Sequence, residues 1–305
     1  MRYVAWRLAR AALTLTIVLL IAFTTLRYSG TPIQSLYPEG LTAEQEQRLL
    51  EKWNLHLPLH EQFLLYLQQI AKGDFGTSLA TREPVVEVYL DRLPATLQLG
   101  GLAFVVAVAI GIPLGALSAL KRGTIAERAA MTLAFLGYAI PHFVIAILFI
   151  LVFGFWLRWL PTTGLDTAWH YVLPVTTLAL PMIAAIARFM RAAMLDAIGQ
   201  DYVLTAQSKG LTDRLIARRH VLKNAMIPLV TVLGLEIAGL VNGSIIVEQI
   251  YAWPGVGKTL VGAVLQRDYP LLQFGVVAFA VVVVTINLIV DLLYVALDPR
   301  VRLDG

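Results

Sequence analysis

LPATLQLGGLAFVVAVAIGIPLGALSAL, residues 93–120, runs for 28 positions without a charged side chain. A helix needs about 20 largely apolar residues to cross a bilayer, where unpaired backbone groups find no partner. The stretch therefore reads as a membrane-spanning helix. Working outward, five more stretches qualify. Upstream lie the 16 uncharged residues between Arg10 and Arg27. Downstream are 129–156, a stretch between Asp166 and Arg188 entering at Tyr171, 224–247 interrupted only by Glu236, and 271–297 interrupted by Asp291. Composition agrees. Of the 305 residues, 58% are hydrophobic and 14% charged, and the mean hydropathy is +0.73; soluble domains have roughly 45–50% and about 25%. A disordered chain, a disulfide scaffold and a nucleic-acid binder all fit poorly. The absence of cysteine removes disulfides, thiolate metal sites and cysteine nucleophiles. The expected class is an all-α integral membrane protein with six transmembrane helices.

Arg2, Arg7 and Arg10 before the first apolar run resemble the start of a signal peptide. No small-x-small cleavage site follows Phe23, where Thr24, Thr25 and Leu26 lead into Arg27, so a retained anchor is expected. Fifteen of the 24 Lys and Arg fall on one side of the six spans, seven of them between residues 188 and 223. By the positive-inside rule that side is cytosolic, and so are both termini. The chain then divides into an N-terminal segment and first helix (1–27), an extracytoplasmic insertion (28–92) and a five-helix core (93–305) with a cytosolic loop at 189–223.

In the insertion, Thr42 with Gln45 forms a capping box before the acidic turn of Glu44 and Glu46, predicting a helix over 43–53. A second helix is expected over 61–71, ending before the turn-forming GDFG of 73–76. The insertion reads equally well as a solvated cap and as a functional loop. In the cytosolic loop, one helix is expected over 196–209. Gly210 stops it, and Thr212 N-caps another over 213–225. On that second helix Leu215, Ile216 and Leu222 share a side, with Arg214 and Arg218 elsewhere. Two short helices around a glycine suit docking into a partner's groove.

Several motifs carry no chemistry. AWPGVGKT (252–259) satisfies a relaxed phosphate-loop pattern, but it begins with Ala252, follows no strand, and falls outside the membrane, away from cytosolic ATP. His56, His60, His142, His170 and His220 show no metal-ligand spacing, and His60-Glu61 lacks a second histidine four residues on. No nucleophile or acid–base pair emerges. Glu236, near the middle of its span, and Asp291 are costly in hydrocarbon, so each faces a cavity or a partner. A pathway-lining role is favoured for Glu236, with Asn242 as a second candidate, and a structural role for Asp291. Gly111 with Gly115, and Gly239 with Gly243, are small-xxx-small pairs where helices should touch. Pro113, Pro141, Pro174 and Pro181 can bend their helices.

DYVLTAQSKGL (201–211), followed by RHVLKNAMIP (219–228), resembles the EAA loop of ATP-binding-cassette importer permeases. The chain looks more narrowly like the first of two permease subunits in the dipeptide/oligopeptide/nickel subfamily. GDFGTS (73–78), PATL (94–97), GIPLG (111–115), EQIYAWPG (248–255) and DPR (298–300) extend the likeness over nearly the whole chain. Where the general motif has Glu-Ala-Ala, this sequence has Leu204-Thr205-Ala206, and its interval from Gly210 to Pro228 is longer than in sugar importers; the subfamily shares both features. A carboxylate at Glu236 is not expected from the family.

The resemblance implies a type I importer permease fold with an extracytoplasmic insertion after the first helix. It further implies a second homologous permease, two cytosolic ATPases and an extracytoplasmic binding protein, in a bacterial plasma membrane. Asp201, Thr205, Ala206, Lys209, Gly210, Leu211, Asn224 and Pro228 would form the ATPase-coupling loop. The chain itself would bind no cofactor, ATP and Mg²⁺ being used by the partner, and would not be an enzyme. Di- or oligopeptides are the expected cargo, with nickel or a glutathione-like solute as the alternative. A proton-coupled secondary transporter using Glu236 is the rival from another class.

Overall fold

The computed structural model describes residues 2–28, 33, 37 and 39–297. The side chains of 2–5, 8, 241–242 and 290–297 lie outside that description, as does the DPR motif at 298–300. The described residues are helical throughout, apart from turns and one isolated β-bridge. The helices are α1 (Arg2–Tyr28), α2 (Ala43–Lys52), α3 (Leu59–Ala71), α4 (Val85–Leu120), α5 (Ile125–Ala139) and α6 (His142–Phe149, continued as a π-helix over Ile150–Trp156). There follow α7 (Trp169–Ile198), α8 (Asp201–Ser208), α9 (Asp213–Ile216, with a π-helical turn at Ala217–Val221), α10 (Leu222–Ile250), α11 (Val256–Gln266) and α12 (Tyr269–Leu297). Five crossings are long and apolar enough on their own: Ala9–Tyr28, Val85–Leu120, Trp169–Ile198, Asp213–Leu240 and Tyr269–Ile289.

Three sequence expectations are corrected. The third span is broken, not continuous: α5 and α6 meet at 102° and make a sixth crossing only as a bent pair. Proline chemistry explains the break. Ile140 precedes Pro141 and sits extended (φ −85°, ψ 124°), a conformation favoured by the clash with the proline ring. Pro141 then opens α6, where its missing N–H costs nothing. Pro113, Pro174 and Pro181 remain inside unbroken helices. Second, the helix expected over 196–209 is split. α7 runs on to Ile198, and Gly199 and the extended Gln200 separate it from α8. Third, the helix beginning at Asp213 does not end near Ala225. The π-helical turn carries it directly into α10, so the helix beginning at Asp213 and the fifth span are continuous. Thr212 occupies its N-cap position in extended conformation, but its hydroxyl makes no capping bond.

The described chain forms two compact units. One takes the chain up to Thr96 with Pro254–Val284, and the other takes Leu97–Trp253 with the chain from Thr285. In the first, α2 carries the complete Thr42–Gln45 capping box. Phe23 of α1 packs against Phe63 and Tyr66 of α3, with ring centroids 5.2 and 5.8 Å apart. Burial there pushes the Tyr66 phenol up to about 12. GDFGTS is a tight turn held by two carboxylates, Asp74 Oδ1, which accepts the Gly76 N–H at 2.9 Å, and Asp268. Gly73 and Gly76 take φ +78° and +86°, which disfavours any side chain. Ser78 Oγ donates to Asp268 Oδ2 at 2.5 Å, the Ala80 N–H donates to the same oxygen at 3.3 Å, and Asp268 Oδ1 accepts from the Leu271 N–H at the start of α12. Phe75 meets Phe274 edge-on at 5.0 Å, beside a core of Val85, Val88, Ala263, Leu271 and Leu272. Asp268 is fully buried. Asp268→Ala therefore strands a buried hydroxyl and an amide and removes a helix cap, at a cost of about 2–4 kcal/mol. A clearly lowered thermal midpoint of the purified protein is expected, with a smaller drop for Asp268→Asn; an unchanged midpoint for the alanine variant would refute this role.

α7 is the centre of the second unit. In its most apolar stretch 67% of residues are buried, against 6% in α1, so it is sheathed by protein while α1 is not. Both predicted glycine contacts of α4 fall on it. A Cβ at Gly111 would lie 2.9 Å from Ile186 Cβ, and one at Gly115 would overlap the Ala187 carbonyl. Gly243 of α10 packs less tightly, its Cβ position 3.3 Å from Leu178 and 3.4 Å from His142, whereas Gly239 faces open space. The other small-xxx-small pair is thus half a contact.

Candidate functional site

The residues expected to couple to an ATPase are grouped around α8. Val203 and Ala206 are buried and anchor its inner side, while Asp201, Leu204, Thr205, Gln207, Ser208 and Lys209 are exposed. Leu204 is 62% exposed, a large apolar side chain presented on a short polar helix. The C-terminus closes as a Schellman motif: the Gly210 N–H donates to the Gln207 carbonyl at 2.9 Å, and the Leu211 N–H reaches back to Ala206 O at 3.3 Å. Gly210 takes φ +75°, the left-handed conformation that this motif demands. Thr205 Oγ1 folds back onto Asp201 O, and the Lys209 N–H caps Thr205 O. Seven of the eight predicted coupling residues are exposed or at this turn; the eighth, Ala206, is the buried anchor.

Asn224 and Pro228 lie farther on, both exposed at the start of α10. Their spacing has a physical meaning. Proline has no N–H, so the Asn224 carbonyl four residues earlier loses its helical donor. The carbonyl that lacks its usual partner and the exposed amide side chain both belong to Asn224, near the helix start. Glu236 is half-buried, and it makes no hydrogen bond or ion pair among the described residues. Leu235 beside it is 61% exposed, and Gly239 is exposed too. Asn242, the other candidate pathway residue, has its side chain outside the described residues.

One constellation escaped sequence reasoning. Arg191 of α7 donates from Nε to Glu127 Oε1 at 2.7 Å, and a second guanidinium nitrogen reaches the same oxygen. The Gly123 N–H donates to Glu127 Oε2 at 2.6 Å, and the Glu127 N–H is capped by Thr124 Oγ1. This pair ties the start of α5 to α7 ten residues before α8 begins at Asp201. The sequence signal was the Thr124-x-x-Glu127 cap, which identifies the helix start but names no partner 64 residues away. At the opposite end, EQIYAWPG is also a packed structure. Tyr251 OH bonds Thr177 Oγ1 at 3.0 Å and donates to Ala146 O at 3.3 Å. Trp253 is fully buried and meets Tyr171 edge-on at 4.8 Å. Ala252 takes φ +53° here, a helix-terminating position. The phosphate-loop reading fails as expected: no strand precedes Ala252, and the Val256 N–H that would have cradled phosphate donates to Thr96 Oγ1 at 2.8 Å.

With this geometry in view, comparison with known proteins is decisive. A family model described as "Binding-protein-dependent transport system inner membrane component" matches residues 111–303. The chain belongs to this family of ABC importer permeases. The permease is 38% identical over 303 residues to the glutathione transport system permease protein GsiC of Salmonella choleraesuis strain SC-B67, covering 99% of each chain. GsiC of Escherichia coli strain K12 matches to the same extent. Among solved structures, the inward-facing MetNI methionine ABC transporter aligns with a TM-score of 0.61 at 20% identity, covering 71% of this chain and 99% of that one. An amino acid ABC transporter solved with histidines aligns at 0.56 and 19%, covering 68% and 94%. These likenesses establish the type I importer permease fold. As a permease subunit the protein is a multi-pass membrane transport component rather than an enzyme, ATP hydrolysis residing in separate subunits.

Proposed function

We propose that this permease is one of two homologous membrane subunits of an importer for short peptides, glutathione included. Its partners are then a second permease, two cytosolic ATPases that use ATP and Mg²⁺, and an extracytoplasmic binding protein; the chain binds no cofactor of its own. In this reading both termini and α8 face the cytosol, following the basic-residue bias. The observation that carries it is α8 itself: a short helix with a buried inner side, an exposed Leu204 and a sharp Schellman stop. Such an element enters a partner's groove. Nucleotide must bind one arrangement of the ATPases better than another for that contact to drive transport. Glutathione is a tripeptide, so the likeness to GsiC supports a peptide-class solute, and nickel is not favoured.

The test is reconstitution of the complete transporter in vesicles with its binding protein, followed by uptake of labelled glutathione, a dipeptide and Ni²⁺. ATP-dependent uptake of one of the peptides is expected. Uptake by this chain alone, driven by a proton gradient, would overturn the reading. In the same assay Glu236→Gln is expected to lower uptake about fivefold, the order of 1 kcal/mol for replacing a half-buried carboxyl group. Unchanged uptake would return Glu236 to a packing role.

A further inference from the structure

Beside the Glu127–Arg191 pair, α5 and α7 border a groove of about 610 Å³. α5 contributes Glu127, Arg128, Met131 and Phe135; α7 contributes Arg188 and Arg191. Arg128, Met131 and Phe135 recur at i, i+3 and i+7, and Arg188 and Arg191 at i and i+3, so each set lines one helix face. Pairing decides the charge of this groove. Glu127 is already saturated by Arg191 and the Gly123 N–H. Arg128 reaches only the Gly123 carbonyl, at 3.4 Å, and the Arg188 guanidinium lies 4.8 Å from the centre of the Tyr138 ring. Neither has a carboxylate partner among the described residues. Two positive charges are left uncancelled at one end. Toward the other end the wall is mostly apolar and open, with Met131 and Phe135 flanking Thr132 on α5 and Phe135 57% exposed.

We propose that this groove holds an anionic phospholipid, its phosphate between Arg128 and Arg188 and an acyl chain along Met131 and Phe135. Guanidinium forks match phosphate oxygens in geometry and charge. The apolar wall distinguishes a lipid from a free anion, which would gain nothing from it. Basic pockets between membrane helices on the cytoplasmic side are suited to acidic headgroups. The inference rests on the chain spanning a bilayer with the Glu127 end of α5 at the cytoplasmic face, as proposed above, and is independent of its transported solute.

The experiment measures retention of labelled phosphatidylglycerol and phosphatidylcholine by the complete purified transporter in detergent. Preferential retention of phosphatidylglycerol is expected. At about 1 kcal/mol per basic residue, R128Q/R188Q should weaken it roughly 30-fold. R128K/R188K, which keeps the charge but loses the fork, should weaken it less than the glutamine pair does, and Lys121→Gln on the neighbouring loop should leave it unchanged. An equal loss in Lys121→Gln would mean diffuse attraction and overturn the site. So would undiminished binding in R128Q/R188Q, or competition by inorganic phosphate as effective as that by lipid. Should the glutamine pair fail to assemble, the unmodified transporter decides, because equal retention of the two lipids overturns the proposal.

Discussion

Gly210→Val abolishes substrate-stimulated ATP hydrolysis in the assembled transporter while the permease still reaches the membrane. The Schellman bonds from Gly210 and Leu211 require φ near the observed +75°. A β-branched residue there pays about 1–2 kcal/mol, since its Cβ crowds the following carbonyl. Little opposes that cost locally. α8 has 8 residues, too few to hold helical form by itself, and of these only Val203 and Ala206 are buried. The stop signal is therefore what fixes the direction in which Leu211 leaves and the angle at which Leu204 is presented. No side chain is crowded, because a Cβ at Gly210 would meet nothing within 4 Å. The bundle should fold, and the defect should appear in coupling. A fall of at least about tenfold in stimulation is expected, the equivalent of 1.4 kcal/mol at the docking surface. Basal hydrolysis and membrane level serve as the controls. Normal stimulation in Gly210→Val would remove α8 from the coupling role.

What the sequence made legible follows from which interactions are local. The spans are visible because lipid demands long uncharged runs, and the Thr42 box and the Gly210 stop because each needs only neighbours within one turn. Pro141 shows the limit. Four prolines carry the same local penalty, yet one breaks its helix while Pro113, exposed, and Pro174 and Pro181, buried, all lie inside continuous helices. α7 is the clearest case, with both its prolines buried. Nothing in the local sequence separates them. The continuity from Asp213 into α10 was missed for a related reason: a π-helical turn absorbs one surplus residue without any breaker residue to mark it. Glu127 and Arg191, or Ser78 and Asp268, are separated by 64 and 190 positions. Such pairs become visible only when helices are placed side by side.

The two small-xxx-small motifs, identical in pattern, should behave oppositely when glycine is replaced. Gly115→Ala is expected to destabilise the permease by about 3 kcal/mol, the upper part of the overpacking range. The added Cβ would overlap the Ala187 carbonyl and lie 2.7 Å from Met190 Cβ. Neither neighbour can yield cheaply. The carbonyl belongs to the helical backbone of α7, and Met190 is fully buried. α4 would have to move away from α7, opening the interface that Gly111 and Ile186 also share. In lipid this closeness matters more than in water, because van der Waals packing, not water exclusion, holds the helices together. Gly239→Ala, with nothing within 4 Å of its Cβ, should be neutral or slightly stabilising, since alanine is the better helix former. Thermal unfolding of the two variants in one detergent checks the contrast. Similar midpoints would show that α4 and α7 do not approach through Gly115, and the central position of α7 would lose its strongest support.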